Sequence, residues 1–225
     1  MKRHCYIVVA EGSSEYQYLQ LLNSFLAHEL PSPNDDMPRL IFSARPKNGG
    51  VGGGKFSLVK KAYRNAKREN AKAEIIIVVD LDIYMRGGTS QEKRNASEYA
   101  AKEDMPDFHF SVMNFEDFLA LHFDDEAFDW WYDTFDTAGH FVRPLVSAEY
   151  GKKFAPIWES VYGSKYRKGE IPSDFITKKA LSNLIRHVKD KRILELFNAT
   201  AGTETFAQLV VRELEEKCEG LLDSE

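Results

Sequence analysis

The chain has 225 residues, is 43% hydrophobic and 29% charged, and carries a formal net charge of −5; this composition belongs to a folded, water-soluble protein and excludes a fibrous or disordered one. No apolar run approaches the ~20 residues needed to cross a bilayer, and the run from Tyr6 to Ala10 is too short for a secretory leader, so a cytoplasmic protein with no membrane contact is expected. Cys5 and Cys218 lie far apart and match no metal spacing, which implies reduced thiols and no disulfide framework.

In chain order, "CYIVVA" reads as a strand ending at Ala10, followed by a turn at Glu11 and Gly12. A helix begins at Ser13 or Ser14, either of which can cap it, with Tyr18, Leu21, Leu22 and Phe25 on one face. "PSPNDDMP" is a loop, "RLIFSAR" a second strand, and "PKNGGVGGGK" a glycine-rich loop. "FSLVKKAYRNAKREN" is a helix with a basic exposed face, and "AEIIIVVDLD" a third strand running to Asp82. A further helix precedes a fourth strand, "FHFSVMN", and "FEDFLALHF" opens another helix. Strand and helix alternate four times, the pattern of an α/β fold with a parallel sheet flanked by helices. Beyond "DWWYDTF" the periodicity is helical, to an amphipathic helix in "TFAQLVVRELEEKCEGLL". The predicted division is a core over residues 1–125 and a helix-rich C-terminal extension over 126–225 packed on it.

The third strand carries the first chemical signal. Five consecutive aliphatic residues, Ile75 to Val79, end on Asp80 and Asp82, as in a strand buried on both faces. Ligands of such sheets bind outside the carboxyl ends of the strands, and two carboxylates there repel each other unless a cation or shared proton holds them. Glu11 follows the first strand at the same edge, and Glu15 returns toward it one helical turn later. Glu116, at the close of the fourth strand, stands among Phe115, Phe118 and Leu119, where an unpaired carboxylate would be costly. A hard divalent ion, Mg²⁺ or Mn²⁺, bound by oxygen ligands explains such a set. Glu11, Glu15, Asp80, Asp82 and Glu116 are therefore the candidate ligands. Glu11, Asp80, Asp82 and Glu116 are the candidate catalytic residues, with Glu11 as general acid or base. Asp117 is expected to face away, as a surface acid.

"VVAEGSSEYQYL", "VVDLDIY" and "FSVMNFEDFLALHF" together resemble the three acidic motifs of the Toprim fold, in its RloB-like branch. The resemblance covers most of residues 5 to 125. The later "YGSKYRKG" and the helical tail are also similar to that branch. One departure is that the branch usually carries Ser-Asn-Pro before Phe-Glu, whereas here Ser111 is followed by Val112, Met113 and Asn114. The resemblance implies a Toprim-like Rossmannoid sheet and Mg²⁺-dependent hydrolysis of nucleic-acid phosphodiesters, with DNA, RNA or tRNA as substrate. It further implies a role in anti-phage defence beside an ATPase of the ABC or AAA type; a homodimer is a separate expectation.

Other readings compete. "GGVGGGKFS" approaches a phosphate-binding P-loop, but Phe56 stands where that loop needs a Ser or Thr hydroxyl after Lys55. Asp80-x-Asp82 is also similar to the haloacid-dehalogenase type of phosphatase, although there the motif ends the first strand. A non-catalytic module that binds nucleic acid or an ATPase is a third alternative. His122 reads as packed and hydrogen-bonded, the other histidines show no ligand spacing, and Trp130, Trp131 and Tyr132 read as core.

Charge is segregated along the chain. Residues 55–72 hold seven bases and one acid, 151–192 eleven bases and four acids, and 103–142 eleven acids and no Lys or Arg. Two arrangements satisfy this: internal pairing of bases with acids, or a basic rim around an acidic centre, with Lys55, Lys165, Arg167 and Lys168 as the nucleic-acid contacts.

Overall fold

The computed structural model of the protein describes residues 3–10, 12–29, 39–44, 55–69, 72–85, 89–100, 108–111, 114–137, 147–200 and 204–217. Four strands, β1 (Arg3–Ala10), β2 (Arg39–Ala44), β3 (Glu74–Val79) and β4 (Phe108–Phe110), form a sheet of order β2-β1-β3-β4. All three pairings are parallel, as expected of an α/β fold of Rossmann-like construction. Ala10 of β1 pairs with Val78 of β3, which sets the carboxyl ends of the two central strands side by side.

Strand alternation divides the core in two. Tyr6, Val8 and Ala10 of β1, Phe42 of β2, and Ile76 and Val78 of β3 face one cluster. Ile7, Val9, Ile77, Val79, Phe108 and Phe110 face the other. The second cluster is closed by α2 (Phe56–Glu69), α3 (Asp82–Met85) and α4 (Ser90–Ala100) through residues such as Phe56, Val59, Ala62 and Tyr84. Burial on both sides accounts for the unbroken aliphatic run of β3.

The first cluster holds α1 (Ser13–Glu29) and α5 (Phe115–Ala120), followed by α6 (Asp125–Thr137), α7 (Ser147–Tyr162), α8 (Lys178–Val188), α9 (Lys191–Thr200) and α10 (Phe206–Lys217). Residues from both sides of position 125 share this one core: Tyr18, Leu22, Phe118 and Leu121 pack in it with Trp131, Phe154, Trp158, Leu184 and Phe206. No helix among the described residues is long and apolar enough to cross a membrane.

Two expected boundaries move. β3 stops at Val79, not Asp82. Leu81 turns into the α2–α4 side of the core beside Val79 and Tyr84, and its carbonyl accepts the Tyr84 amide at 3.0 Å, so Asp82 opens a short helix. β4 ends at Phe110, and Glu116 lies in the first turn of α5 and not at the end of a strand.

Candidate active site

The strand order places a switch point between β1 and β3, because the chain leaves β1 for β2 on one side and returns to β3 on the other. Crevices form at the carboxyl edge of such points. Asp80 is the first residue past β3 and is buried at 7% exposure; Glu15, Asp82 and Glu116 are buried at 4%, 3% and 3%. Four acids withdrawn from water near one sheet edge need partners.

The partners come from the neighbouring loops. Ser111, directly after β4, donates its hydroxyl to Asp80 Oδ1. Tyr166 donates its hydroxyl to Glu116 Oε1 at 2.7 Å. Burial pushes the Tyr166 phenol far above its ordinary value, and the charges of Glu116, Asp80 and Glu15 push it further. The Tyr166 hydroxyl therefore stays protonated, as the donor to Glu116.

Glu15 belongs to the third residue of α1, and its carboxylate folds back over Gly12, where an added Cβ would stand 2.9 Å from Oε2. Burial raises the carboxyl to about 7, aided by repulsion from Glu116; the Glu15 and Gly12 amides and the Lys168 ammonium pull the other way. A third-position Glu bonded to the residue before the helix is half of a capping box, so Glu15 caps α1 while standing beside Glu116.

The segment after α7 is fastened across this region. Gly163, in the left-handed region at φ 63°, ends α7 and donates its amide to the Glu159 carbonyl at 2.9 Å. Arg167 and Glu170 form an antiparallel bridge around Gly169, whose φ of 86° suits only glycine and whose absent side chain leaves room for Ser13 Oγ, 2.6 Å from an ideal Cβ. Gln17 of α1 closes the seam by donating to the Ile171 carbonyl at 3.0 Å and accepting the Ile171 amide at 2.8 Å. The Tyr166 ring packs edge-on against Phe154 and Trp158, with centroids at 4.9 and 5.3 Å.

Of the predicted residues, Glu15, Asp80 and Glu116 stand past the strand ends, in the first turn of α1, directly after β3 and in the first turn of α5. Asp82 is buried at the start of α3, and Glu11 lies outside the described residues. The glycine-rich loop does too, apart from Lys55, which is exposed just before α2. Lys165, Arg167 and Lys168 are exposed in the strap that carries Tyr166. Arg167 is ion-paired with Glu170 at 3.7 Å. Among the described residues, no group of three or more His, Cys, Asp or Glu side chains is assembled to hold a metal ion.

Asp117 is a correction. It is wholly buried, accepting the Trp131 Nε1–H at 3.0 Å on one oxygen and the Asn114 amide at 3.0 Å on the other, while Asn114 Oδ1 accepts the Asp117 amide at 3.1 Å. This capping box fixes the first turn of α5, and hence Glu116. Asn114 Nδ2, two residues before Glu116, is the one buried side-chain polar atom without a hydrogen-bond partner among the described residues.

His122 is buried: its Nδ1–H donates to the Phe118 carbonyl at 3.2 Å, leaving Nε2 to accept the Tyr18 hydroxyl at 3.0 Å. Burial lowers it to about 3, so it is neutral and structural. Trp131 and Tyr132 are core, and Trp130 is 47% exposed. Tyr166 is the site residue that sequence reasoning missed: it lies fifty positions from its partner, and no periodicity links the two.

Comparison with family models, with curated proteins and with solved structures returns no match.

Proposed function

We propose that the chain is a divalent-metal-dependent nuclease of Toprim type, hydrolysing nucleic-acid phosphodiester bonds at the carboxyl edge of β1 and β3. The observation that carries this reading is the burial of Glu15, Asp80, Asp82 and Glu116 just past the strands at the switch point of a parallel sheet, with the Glu116 carboxylate held by the Tyr166 hydroxyl. Carboxylate oxygens are the donors that Mg²⁺ and Mn²⁺ prefer, and Mg²⁺ needs only one or two from the protein. The donors fit such an ion in kind: Asp80 and Asp82, which follow β3, would hold it, with Glu116 and Glu15 as further carboxylate donors. When bound, the ion supplies positive charge against the phosphoryl and leaving oxygens. The chain's own residues do the rest. Ser111 orients Asp80, the Asn114–Asp117 box orients Glu116, and Tyr166 holds Glu116 while covering it from water.

The resemblance of the three acidic motifs supports nucleic acid as substrate, and it alone supports an ATPase partner and a defence role. A second reading, an interaction module without chemistry, draws on one observation: Tyr166 already occupies a Glu116 oxygen. Incubating the purified protein with plasmid, single-stranded DNA and total RNA, with Mg²⁺, Mn²⁺ or chelator, separates the two. Cleavage that chelator abolishes supports the nuclease; nucleic-acid binding without cleavage under every condition supports the module.

A further inference from the structure

On the face of the sheet opposite α1 and α5, α2 and α4 border a cleft of about 590 Å³ lined by Ser57, Lys60, Lys61, Arg64, Arg68 and Glu98. Four cations face one acid there, in a chain whose formal net charge is −5. They occupy one stripe of α2, while Val59, Ala62 and Ala66 occupy the buried side. Lys60, Arg64 and Arg68 follow at intervals of four residues, rising ~6 Å each time, comparable to the separation of successive phosphates along a nucleic-acid strand. The start of α2 is pinned to α4: the Phe56 amide donates to Asn95 Oδ1 at 3.3 Å, one turn before Glu98.

What separates this cleft from the other basic segment is compensation. Among the described residues none of Lys60, Lys61, Arg64 and Arg68 is ion-paired, and Arg68 reaches only the Asn65 amide oxygen, at 3.5 Å. Several C-terminal bases, by contrast, are paired with acids. Arg186 meets Asp125, Arg192 meets Asp129 at 2.8 Å, Lys191 meets Glu195 at 3.6 Å, and Arg212 meets Glu204 at 3.1 Å. Internal pairing therefore accounts for Arg167, Arg186, Lys189, Lys191 and Arg192 of the C-terminal basic segment, whereas α2 presents a concave surface with excess positive charge. Such a surface raises the local concentration of polyanions.

We propose that the α2 cleft binds the sugar-phosphate backbone of a nucleic acid, independently of base sequence and of metal. Direction favours a strand over a small ligand: β1, β2 and β3 are parallel, so α2 starts at the carboxyl edge and runs back toward the amino edge. A strand laid along α2 leads to the edge where Asp80 lies. The cleft rests on the nuclease reading only for what the strand is delivered to; the binding stands without it.

The test uses the full chain in chelator and follows the anisotropy of a labelled mixed-sequence oligonucleotide as salt is varied. Lys60→Glu with Arg64→Glu should weaken binding by at least about tenfold and lower the slope of log affinity against log salt by roughly one to two, about 0.7–0.9 for each phosphate released. Lys152→Glu with Lys179→Glu, the same charge change on α7 and α8, should weaken it less than about twofold. Equal losses in the two double variants, or none in the first, would overturn the site. Should the first variant melt early, Lys60→Gln with Arg64→Gln replaces it, with a smaller loss of the same kind expected and an unchanged affinity overturning the site. Inorganic tripolyphosphate at matched phosphate concentration should compete poorly; competition as strong as the oligonucleotide's would assign the cleft to a small phosphorylated ligand, and stronger competition by anionic vesicles to a membrane surface, each against the proposal. Cleavage with Mg²⁺ is scored separately. Binding without cleavage counts against the nuclease alone, and cleavage with unchanged affinity of the α2 variants counts against the cleft alone.

Discussion

The Tyr166 hydroxyl donates to Glu116 Oε1 at 2.7 Å, tying the strap that follows α7 to the first turn of α5. This bond gives a buried carboxylate a partner and closes the acid crevice with a residue from the C-terminal half. Hydrogen bonds to charged groups contribute about 1.5–3 kcal/mol, and a carboxylate left alone is costly. Tyr166→Phe should accordingly lower the stability of the metal-free protein by about 2 kcal/mol in urea unfolding. With the oxygen released, added Mn²⁺ should restore more stability to the variant than to the wild type. An equal Mn²⁺ shift in both proteins would show that Glu116 does not meet the ion.

Asp117 should behave as a structural acid. Asp117→Asn places an amide against either the Trp131 Nε1–H or the Asn114 N–H, both of them donors. A melting curve should show a loss of about 1–3 kcal/mol. A loss within ~0.5 kcal/mol, the range of ordinary surface substitutions, would return Asp117 to the surface.

These two residues mark where the sequence was legible and where it was not. The parallel sheet followed from the alternation of strand and helix, and the strand-end position of Asp80 from an unbroken aliphatic run, the pattern of a strand buried on both faces. The Asn114-x-x-Asp117 spacing is itself a capping signal, and reading it would have turned Asp117 inward. The end of β3 was misplaced because Leu81 and Tyr84 continue the apolar texture while the backbone turns. Tyr166 was beyond reach: its place depends on Gly169 fitting against Ser13 and on Gln17 gripping Ile171, contacts made only once the chain has folded. Which bases pair with which acids was hidden for the same reason.

Buried His122 makes stability depend on pH. Its folded value of about 3 lies below the ordinary 6.5, so between these values the unfolded chain binds a proton that the folded chain refuses. Stability from this residue is complete above pH 6.5 and falls as pH drops toward 3, by about 1.4 kcal/mol per pH unit. His122→Gln, able to accept from Tyr18 and donate to Phe118, should flatten the acid limb of unfolding free energy against pH by up to one proton. An unaltered limb would mean that His122 is charged in the folded state.

Lys55 is exposed at the start of α2, and Phe56 behind it is buried in the core and carries no hydroxyl for a metal. The isolated protein should not hydrolyse ATP, and Lys55→Ala should weaken nucleic-acid binding by about one phosphate contact at most, read from the salt slope. ATP hydrolysis that disappears in Lys55→Ala would revive the phosphate-binding loop.

The most direct measurement pairs metal binding with cleavage in one variant. Asp80→Asn keeps the side-chain shape and an oxygen for Ser111 while removing a buried negative charge. Mn²⁺ titrated by calorimetry, alongside cleavage of plasmid and total RNA in the same buffer, should show an ion bound and substrate cut by the wild type. In Asp80→Asn the affinity for Mn²⁺ should fall by at least about tenfold, from loss of one charged ligand, and cleavage should be abolished with the melting temperature held or raised in chelator. Cleavage by Asp80→Asn at the wild-type rate would contradict a phosphodiester-hydrolysing centre at this strand end.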